Sequence, residues 1–410
     1  MRPQLFFLIL LRKPMHKFSI IGLVVYYALP VAGRSEWDDE EQRHSRAQDL
    51  PSAANVKLIL VGFRHGNRNP DQFFKNDTSH HEQWAWEGNS QLTSIGKRQA
   101  YSLGKFMRAR YGSLVPDEFY ASNVKVFTSS ADRCQMTMQT FMAGFFPPKG
   151  RALWNYNLNW QPIPYQINDP LLRMYNVNPC PAYKAAYQPI SDDNAPAARE
   201  WLNRDPDLVK YIAANTGFNA SLSDLGDAAD NIGQMIKFNV PLPAWVTNPT
   251  LPGYPPKDMA TAIQSYAEAH QILQANQPDT ARLMAGLWLD QIVTTLQQKR
   301  DGKIPDQVAN FYAAHTETVL SLLRLLKVTD IANETPTSAG LVLEFTDVPA
   351  PAVRVIFHEP DPVNPDIRLA ELKGFSFCAG QEWCPLDTFI SNVKEPSFSD
   401  YRAACGLPAC

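Results

Sequence analysis

The chain has 410 residues, of which 45% are hydrophobic and 19% are charged, and its formal net charge is −3. These values are ordinary for a globular protein with one large or two moderate domains. The first 33 residues carry four basic side chains and no acidic one, so the remainder has a formal net charge of −7. This charge argues against a general nucleic-acid or anionic-membrane binder.

Residues 1–33 are predicted to be a secretory signal peptide. Two apolar runs, Leu5–Leu11 and Phe18–Ala32, flank a basic stretch, and small residues end the second run. A typical signal would begin at Met15, so either Met15 is the initiator or the signal is long. The second run of about 15 residues is shorter than the ~20 that a membrane-spanning helix needs. Residues 34–54 are polar without periodicity, which predicts a disordered leader.

The first predicted strand ends in a basic motif. Val56–Phe63 is an apolar run followed by a turn, 64–70, that reads RHGNRNP. Arg64 and Arg68 flank His65, and three potential cations at one strand end repel each other unless an anion lies among them. The planar fork of arginine fits phosphate oxygens, and histidine can attack phosphorus. The motif therefore predicts a phosphate site.

Strand–loop–helix units recur before residue 150 and after residue 301. They predict an α/β fold with a doubly wound, mostly parallel sheet and helices on both faces. Residues 151–301 are dense in prolines and aromatics with short helical pieces, which predicts an inserted, mainly helical cap between the core segments 55–150 and 302–410. In chain order, the predicted elements after the motif begin with a helix at Thr93–Arg110 that Thr93 caps, a strand at Val124–Thr128, a helix at Asp132–Phe146, and helices at Ala260–Ala275 and Thr280–Gln298. They continue with a strand at Val308–Ala314, a helix at Thr318–Leu326, and an antiparallel strand pair, Leu341–Thr346 and Val353–His358, at a sheet edge.

Three separate segments place phosphate-compatible side chains just after predicted strands. Arg133 and His315 follow two of these strands, as the 64–70 motif follows the first. In open α/β sheets, ligands bind beyond the carboxyl ends of the strands. We therefore expect these side chains to meet at one sheet edge.

The RHGNRNP pattern resembles that of the histidine acid phosphatase family, the larger-domain branch of the histidine phosphatases. The resemblance covers about 56–405 in the same order and is weak over 151–301. It implies a phosphoglycerate mutase-like fold and a secreted acid phosphatase that hydrolyses phosphate monoesters, on small molecules or phosphoproteins, through a phosphohistidine and without a metal or other cofactor. The other matching segments are Leu92–Gly112, Thr128–Pro148, Phe311–Leu326 and Cys378–Pro385.

Phosphomonoester hydrolysis needs neutralised phosphoryl oxygens, an in-line nucleophile and a proton for the leaving oxygen. Each candidate also has a structural interpretation, such as a surface salt bridge for one arginine or a core position for His315. The assigned residues are His65 as nucleophile, His315 as a hydrogen-bond donor to the phosphoryl group, and Arg64, Arg68 and Arg133 as ligands of its oxygens.

The proton donor departs from the family pattern. Most relatives of this branch have aspartate after the second histidine, whereas this chain has Thr316, whose hydroxyl titrates far too high to serve as an acid. Glu317 has suitable chemistry and is expected to take this role, as in the inositol-polyphosphate branch, which has His-Ala-Glu. Glu317 stands one position after the family's aspartate, and on a helix one position changes the direction of a side chain by about 100°. The alternative is that Glu317 only complements the helix dipole.

Two other functions stay open. The order His315-Thr316-Glu317 favours an inositol-polyphosphate phosphatase. The missing aspartate favours an inactive secreted protein that binds phosphate ligands on the same scaffold. Transfer of the phosphoglycerate mutase type is disfavoured by the leader and by Pro70.

Six cysteines fit an oxidising compartment, and neither CxxC nor His-x-x-His spacing points to a metal. The resemblance implies the disulfides Cys180–Cys405 and Cys378–Cys384. A third family disulfide is missing at both of its ends, near Phe238 and Gly340. Cys134 is predicted to be a buried thiol, and the state of Cys410 is left open.

Three Asn-x-Ser/Thr tripeptides, at Asn76, Asn219 and Asn333, are typical of N-glycosylation. They favour a secreted protein, in preference to one in the lysosomal lumen, with no membrane association after signal cleavage and no nucleic-acid partner. The resemblance is also compatible with a homodimer, because relatives are often two-fold dimers.

Overall fold

The computed structural model describes residues 50–408, apart from 77, 78, 178, 268 and 333. The predicted signal peptide, residues 34–49 of the leader, Asn333 and Cys410 lie outside the described residues. Across the described part, no helix is long and apolar enough to span a bilayer.

One mixed sheet organises the described residues. Its order is β3-β2-β4-β1-β5-β6-β7, with β8 paired to β6. The half formed by β3, β2, β4 and β1 is parallel, and β5 to β8 join it in antiparallel pairs. The strands are β1 (Leu58–Arg64), β2 (Val124–Thr128), β3 (Gln166–Ile167), β4 (Ala309–Ala314), β5 (Gly340–Thr346), β6 (Ala352–Pro360), β7 (Arg368–Lys373) and β8 (Cys384–Pro385).

The helices begin and end at signals in the sequence. Thr93 caps the second helix by accepting a hydrogen bond from Gly96 N–H. Pro181, Pro196, Pro206, Pro256 and Pro278 each occupy the first position of a helix. The helices are α1 (His81–Trp84), α2 (Ser94–Tyr111), α3 (Asp132–Phe145), α4 (Asp169–Leu172), α5 (Pro181–Ser191), α6 (Pro196–Leu202), α7 (Pro206–Thr216), α8 (Leu222–Lys237), α9 (Ala244–Thr247), α10 (Pro256–Gln264), α11 (Ala269–Asn276), α12 (Pro278–Arg300), α13 (Thr316–Leu325), α14 (Leu386–Val393) and α15 (Tyr401–Ala404).

Both faces of the sheet are covered by helices. Along β1, Leu58 and Leu60 join a core with residues of α12 and α13, whereas Ile59 and Val61 join a second core with residues of α2 and α3. Successive residues of a strand point to opposite faces, so the continuous apolar run of β1 fits a strand buried on both sides. The predicted α/β class and the helices on both faces are confirmed.

Several predicted elements differ in detail. The predicted helix 260–275 is two helices, α10 and α11. The predicted antiparallel pair exists as β5 and β6, but β6 is not the edge because β7 and β8 pair with it. The predicted helix 318–326 begins at Thr316, directly after His315.

The segment between α3 and β4 is mainly helical and has its own core, which includes residues of α7, α8 and α10. Disulfide bonds join Cys180 to Cys405 and Cys378 to Cys384, the pairs that the resemblance implies. The boundaries of core and cap stay a prediction.

A buried ion network fixes the antiparallel half of the sheet. Glu344 on β5 is fully buried and forms ion pairs with Arg110 of α2 at 2.9 Å and with Arg354 of β6. The hydroxyl of Tyr111 also donates a hydrogen bond to the same carboxylate. These donors compensate for the loss of water around this charge.

Candidate active site

The motif loop is held tightly after β1. His65 N–H donates to the carbonyl oxygen of Ala314 on β4, and Gly66 N–H donates to Thr137 Oγ1 on α3. A Cβ atom on Gly66 would lie 2.4 Å from the backbone oxygen of Gly96, which accounts for the glycine. The loop therefore has little freedom to move.

His65 is positioned as a neutral imidazole. Its side chain is buried, and Nδ1 lies 2.8 Å from the carbonyl oxygen of Gly66. A carbonyl can only accept, so Nδ1 carries the hydrogen and Nε2 keeps its lone pair. Burial, followed by Arg133 and Arg64, holds the pKa of His65 well below its ordinary value. The uncharged ring with a free Nε2 lone pair is the form that can act as a nucleophile.

His315 lies beside His65, at the N-cap position of α13, with the two ring centroids 5.4 Å apart. Its Nε2 is 2.9 Å from Ser129 Oγ and its Nδ1 is 3.4 Å from Nη2 of Arg133. A guanidinium can only donate, so Nδ1 accepts here and Nε2 bears the hydrogen. Burial, then Arg133 and Arg173, holds the pKa of His315 well below its ordinary value.

The three predicted arginines come from different elements and are held differently. Arg64 ends β1 and donates from Nη1 to the carbonyl oxygen of Thr335 at 2.7 Å. Arg68 is buried and forms ion pairs with Asp71 and Asp230 at 3.3 and 3.0 Å. Arg133 lies in the first turn of α3, where free backbone N–H groups also favour anions. Its buried Nε has no hydrogen-bond partner among the described residues.

These side chains line one cleft of about 320 Å³ at the carboxyl ends of β1 and β4. The structure brings all six predicted residues to it. The lining residues are Arg64, His65, Arg68, Asp71, Ser90, Arg133, Arg173, Tyr175, His270, Gln271, His315, Thr316 and Glu317.

Sequence reasoning missed several lining residues. Arg173 is the C-cap of α4, and its buried Nε also has no hydrogen-bond partner in the described part of the chain. Tyr175 lies 6.0 Å from His315 between ring centroids, and His270 lies on α11. All three come from the segment where the family resemblance is weak. An arginine or histidine on a helix carries no local signal of the cavity that it lines.

Glu317 lies in the first turn of α13, two residues after His315, and is partly buried. Both it and the buried Thr316 line the cleft. Burial and, next, the charge of Glu317 raise the pKa of Tyr175 well above its ordinary value. The carboxylate therefore lies near the phenol of Tyr175.

Cys134 is the free cysteine of the described residues. It is buried, with Sγ 3.3 Å from the carbonyl oxygen of Ala314 and 3.4 Å from Nε2 of His315. Burial raises the pKa of its thiol to about 11. A protonated thiol in the core fits the predicted structural role.

The class of this protein is an α/β fold with a basic cleft at the carboxyl ends of its parallel strands, lined by two neighbouring imidazoles and four guanidiniums. A model of the family described as Histidine phosphatase superfamily (branch 2) matches residues 56–358, and the chain belongs to that family. The family resemblance drawn from the sequence is confirmed.

Curated relatives are acid phosphatases. The chain is 25% identical over 291 residues to the lysosomal acid phosphatase of Xenopus laevis, a match that covers 69% of this chain and 64% of that protein. It is 29% identical over 287 residues to the prostatic acid phosphatase of Homo sapiens, covering 67% of this chain and 70% of that protein. The chain thus spans less than two-thirds of the length of the Xenopus relative.

Phytases are among the solved structures with the same fold. A Hafnia alvei phytase in complex with myo-inositol hexakis sulphate has a TM-score of 0.63 at 18% identity, covering 88% of this chain and 100% of that chain. The Citrobacter braakii phytase has a TM-score of 0.62 at 17% identity, covering 86% and 99%. At these identities the likeness establishes the fold alone.

Proposed function

We propose that this protein is a secreted acid phosphatase that hydrolyses phosphate monoesters through a phosphohistidine on His65. The observation that carries the proposal is the state of His65, a neutral imidazole whose Nδ1–H donates to Gly66 O while its ring lies among arginines. Names of the curated relatives support the reaction class. The two disulfides and the exposed Asn76 and Asn219 support a secretory route.

In the first step, Nε2 of His65 attacks phosphorus. The P–N bond forms as the ester P–O bond breaks, and Glu317 gives its proton to the leaving oxygen. The ring becomes cationic, and its Nδ1–H bond to the carbonyl of Gly66 stabilises that charge. The guanidiniums offset the charge on the phosphoryl oxygens.

In the second step, water attacks the phosphohistidine. The carboxylate of Glu317 accepts a proton from this water, and the P–N bond breaks to release inorganic phosphate and neutral His65. One carboxyl group thus serves as acid and then as base, which restores the starting enzyme.

The test uses a His65→Ala variant with His80→Ala as the matched control, because His80 is an exposed histidine beside α1. We expect His65→Ala to lose nearly all turnover of an aryl phosphate at acid pH, and His80→Ala to retain it. Wild type mixed with a 32P-labelled substrate and quenched in base should retain an acid-labile label at His65. Full activity of His65→Ala would refute the mechanism.

The buried threonine at the aspartate position of the family supports a second candidate, an inactive protein that binds phosphate ligands. Turnover by the wild type decides between them. Retained phosphate binding without turnover would favour the binding protein.

Comparing phytate with an aryl phosphate tests the inositol-polyphosphate alternative, which the Thr316-Glu317 pair supports.

A further inference from the structure

A buried arginine outside the catalytic cleft is held by uncharged groups. Arg368 on β7 is 6% exposed and does not line the cleft. Its Nη2 donates to the carbonyl oxygen of Ser338 at 2.6 Å and to Nδ1 of His358 at 2.9 Å. Burial lowers the pKa of Arg368 to about 9. Removing a guanidinium from water is costly when the groups that replace the water carry no negative charge, so these contacts call for an explanation.

His358 on β6 orients this guanidinium. The ring is fully buried, and its Nδ1 accepts from Arg368, so Nε2 bears the ring hydrogen. Burial, followed by the charge of Arg368, holds the pKa of His358 well below its ordinary value. The imidazole is therefore a neutral acceptor that fixes the direction of the Arg368 side chain.

The residue that Arg368 contacts has a strained backbone. Ser338 is fully buried and has a φ of +64°, in the left-handed region that favours glycine. Ala339 N–H donates to the carbonyl oxygen of Pro336 at 3.0 Å, so Ser338 is the third residue of a β-turn, where glycine is usual at positive φ. Such a conformation persists only when the surrounding structure holds it. We call residues 335–339 the anchoring turn.

The anchoring turn contacts the start of the motif loop at three points. Ser338 N–H donates to the carbonyl oxygen of His65 at 2.9 Å, and Arg64 N–H donates to that of Ala339 at 2.9 Å. The carbonyl oxygen of Thr335 accepts from Nη1 of Arg64 at 2.7 Å. The turn thus holds the backbone of the nucleophile and both the backbone and the side chain of a phosphate ligand.

We propose, on the basis of the phosphatase function above, that Arg368 is a positioning residue for this reaction. It holds Ser338 in the left-handed conformation and so keeps the anchoring turn where it can orient Arg64 and His65. His358 keeps the guanidinium in place for this contact. Because Arg368 lies outside the cleft, its effect reaches the phosphoryl group through the hydrogen bonds of the turn.

The test compares Arg368→Met with Arg108→Met, because both variants remove a guanidinium that donates to backbone carbonyls. Arg108 of α2 donates to the carbonyl oxygens of Phe145 and Val115, and its side chain is 13% exposed. It lies about 18 Å along the helix from Gly96, which contacts the motif loop. The control thus removes a comparable anchor far from the cleft.

We expect kcat/KM for an aryl phosphate, referred to folded protein, to fall about 10²-fold in Arg368→Met, with at least tenfold of this loss in kcat. A displacement of about 1 Å in the catalytic groups has an effect of this size. The Kd for inorganic phosphate should rise about tenfold, because Arg64 loses its orientation. Arg108→Met should retain the wild-type kcat, KM and phosphate Kd, whatever stability it loses. Arg368→Lys, which keeps the charge and a donor, should lose about threefold in kcat/KM.

A second measurement isolates the strain at Ser338. Glycine adopts a φ of +64° without a steric cost, so Ser338→Gly should make the turn less dependent on Arg368. The loss caused by Arg368→Met should therefore be about fivefold smaller in a Ser338→Gly background than in the wild type. Because kcat is referred to folded protein, a loss of stability alone gives no such coupling.

Phosphate affinity separates the failure of this inference from the failure of the proposed function. If the wild type does not turn over an aryl phosphate, the proposed function fails, whereas a weaker phosphate Kd in Arg368→Met than in Arg108→Met still supports the positioning role. Wild-type kcat/KM and phosphate Kd in folded Arg368→Met would overturn the inference, and so would an equal loss in Arg108→Met. If Arg368→Met fails to fold, Arg368→Lys is compared with Arg108→Lys, and the same outcomes decide.

Discussion

Removing the carboxyl group of Glu317 is the sharpest test of the mechanism, because the usual aspartate is absent. Glu317→Gln keeps the size of the side chain at the second helical position of α13, where it lines the cleft beside His315. The variant abolishes proton donation without opening a cavity. Its effect should therefore depend on how much the leaving group needs a proton.

The expected size follows from the chemistry of the leaving group. A positioned general acid contributes about 10²–10⁴-fold to a step that needs it. An alkyl alkoxide is a poor leaving group, so kcat/KM for an alkyl phosphate should fall about 10³-fold in Glu317→Gln. A nitrophenolate leaves without a proton, so kcat/KM for nitrophenyl phosphate should fall only about threefold.

The assay measures kcat/KM for a series of phosphate monoesters of increasing leaving-group pKa. The slope of log kcat/KM against that pKa should be shallow for the wild type and steep for Glu317→Gln. Glu200→Gln, on α6 with a 77% exposed side chain, is the control and should match the wild type. An equal loss for alkyl and aryl substrates would assign Glu317 to binding and not to acid catalysis.

The double variant Thr316→Asp, Glu317→Gln moves the carboxyl group to the family position. Thr316 is 3% exposed and lines the cleft, so an aspartate there also faces the site. We expect this variant to recover alkyl phosphate turnover at least tenfold over Glu317→Gln. No recovery in a folded double variant would mean that the cleft has adapted to the glutamate alone.

Three further predictions concern the scaffold. Gly66→Ala should lower kcat/KM for an aryl phosphate at least tenfold, because its Cβ would meet backbone atoms and shift the nucleophile loop. The pKa of Asp227 is raised from 3.8 to about 7, so the folded state binds this proton more tightly and wild-type stability falls as pH rises between these values. In denaturant unfolding, the free energy of unfolding of Asp227→Asn should exceed that of the wild type by about 1–2 kcal/mol above pH 7 and by less at pH 4. The exposed control Asp207→Asn should show no such difference. Glu344→Gln should lower the free energy of unfolding by about 3–5 kcal/mol in the same assay, because it removes the buried carboxylate with which both Arg110 and Arg354 pair.

Local signals predicted the elements that carry the site. Each of these signals acts within a few residues of the chain. They are the apolar run before Arg64, the cap at Thr93 and the prolines after α3. The edge strand β7 was not predicted, because RLAELK lacks a strict alternation of apolar and polar residues and its side chains are mostly half-buried. Its place is decided by pairing with β6, which is a tertiary contact.

The contrast between local sequence signals and tertiary contacts also separates the predicted residues of the cleft from the unpredicted ones. Arg64 ends β1, and His65 and His315 directly follow β1 and β4, so the shared carboxyl ends of these strands bring the three together. Arg173 and His270 reach the cleft from the helical segment, and their positions depend on how helices pack across it. No spacing in the sequence encodes that packing.

The cluster of arginines has two effects that act in the same direction. Burial and the nearby guanidiniums lower the pKa of both cleft histidines, so the imidazoles stay uncharged to a lower pH than a solvated histidine would. The same guanidiniums attract a phosphate monoester, whose charge then offsets theirs. Burial and these guanidiniums together favour the neutral form of His65, and the guanidiniums also attract the phosphate group. Under the proposed mechanism, activity should persist in acid, because the lowered pKa of His65 keeps its Nε2 lone pair available for attack.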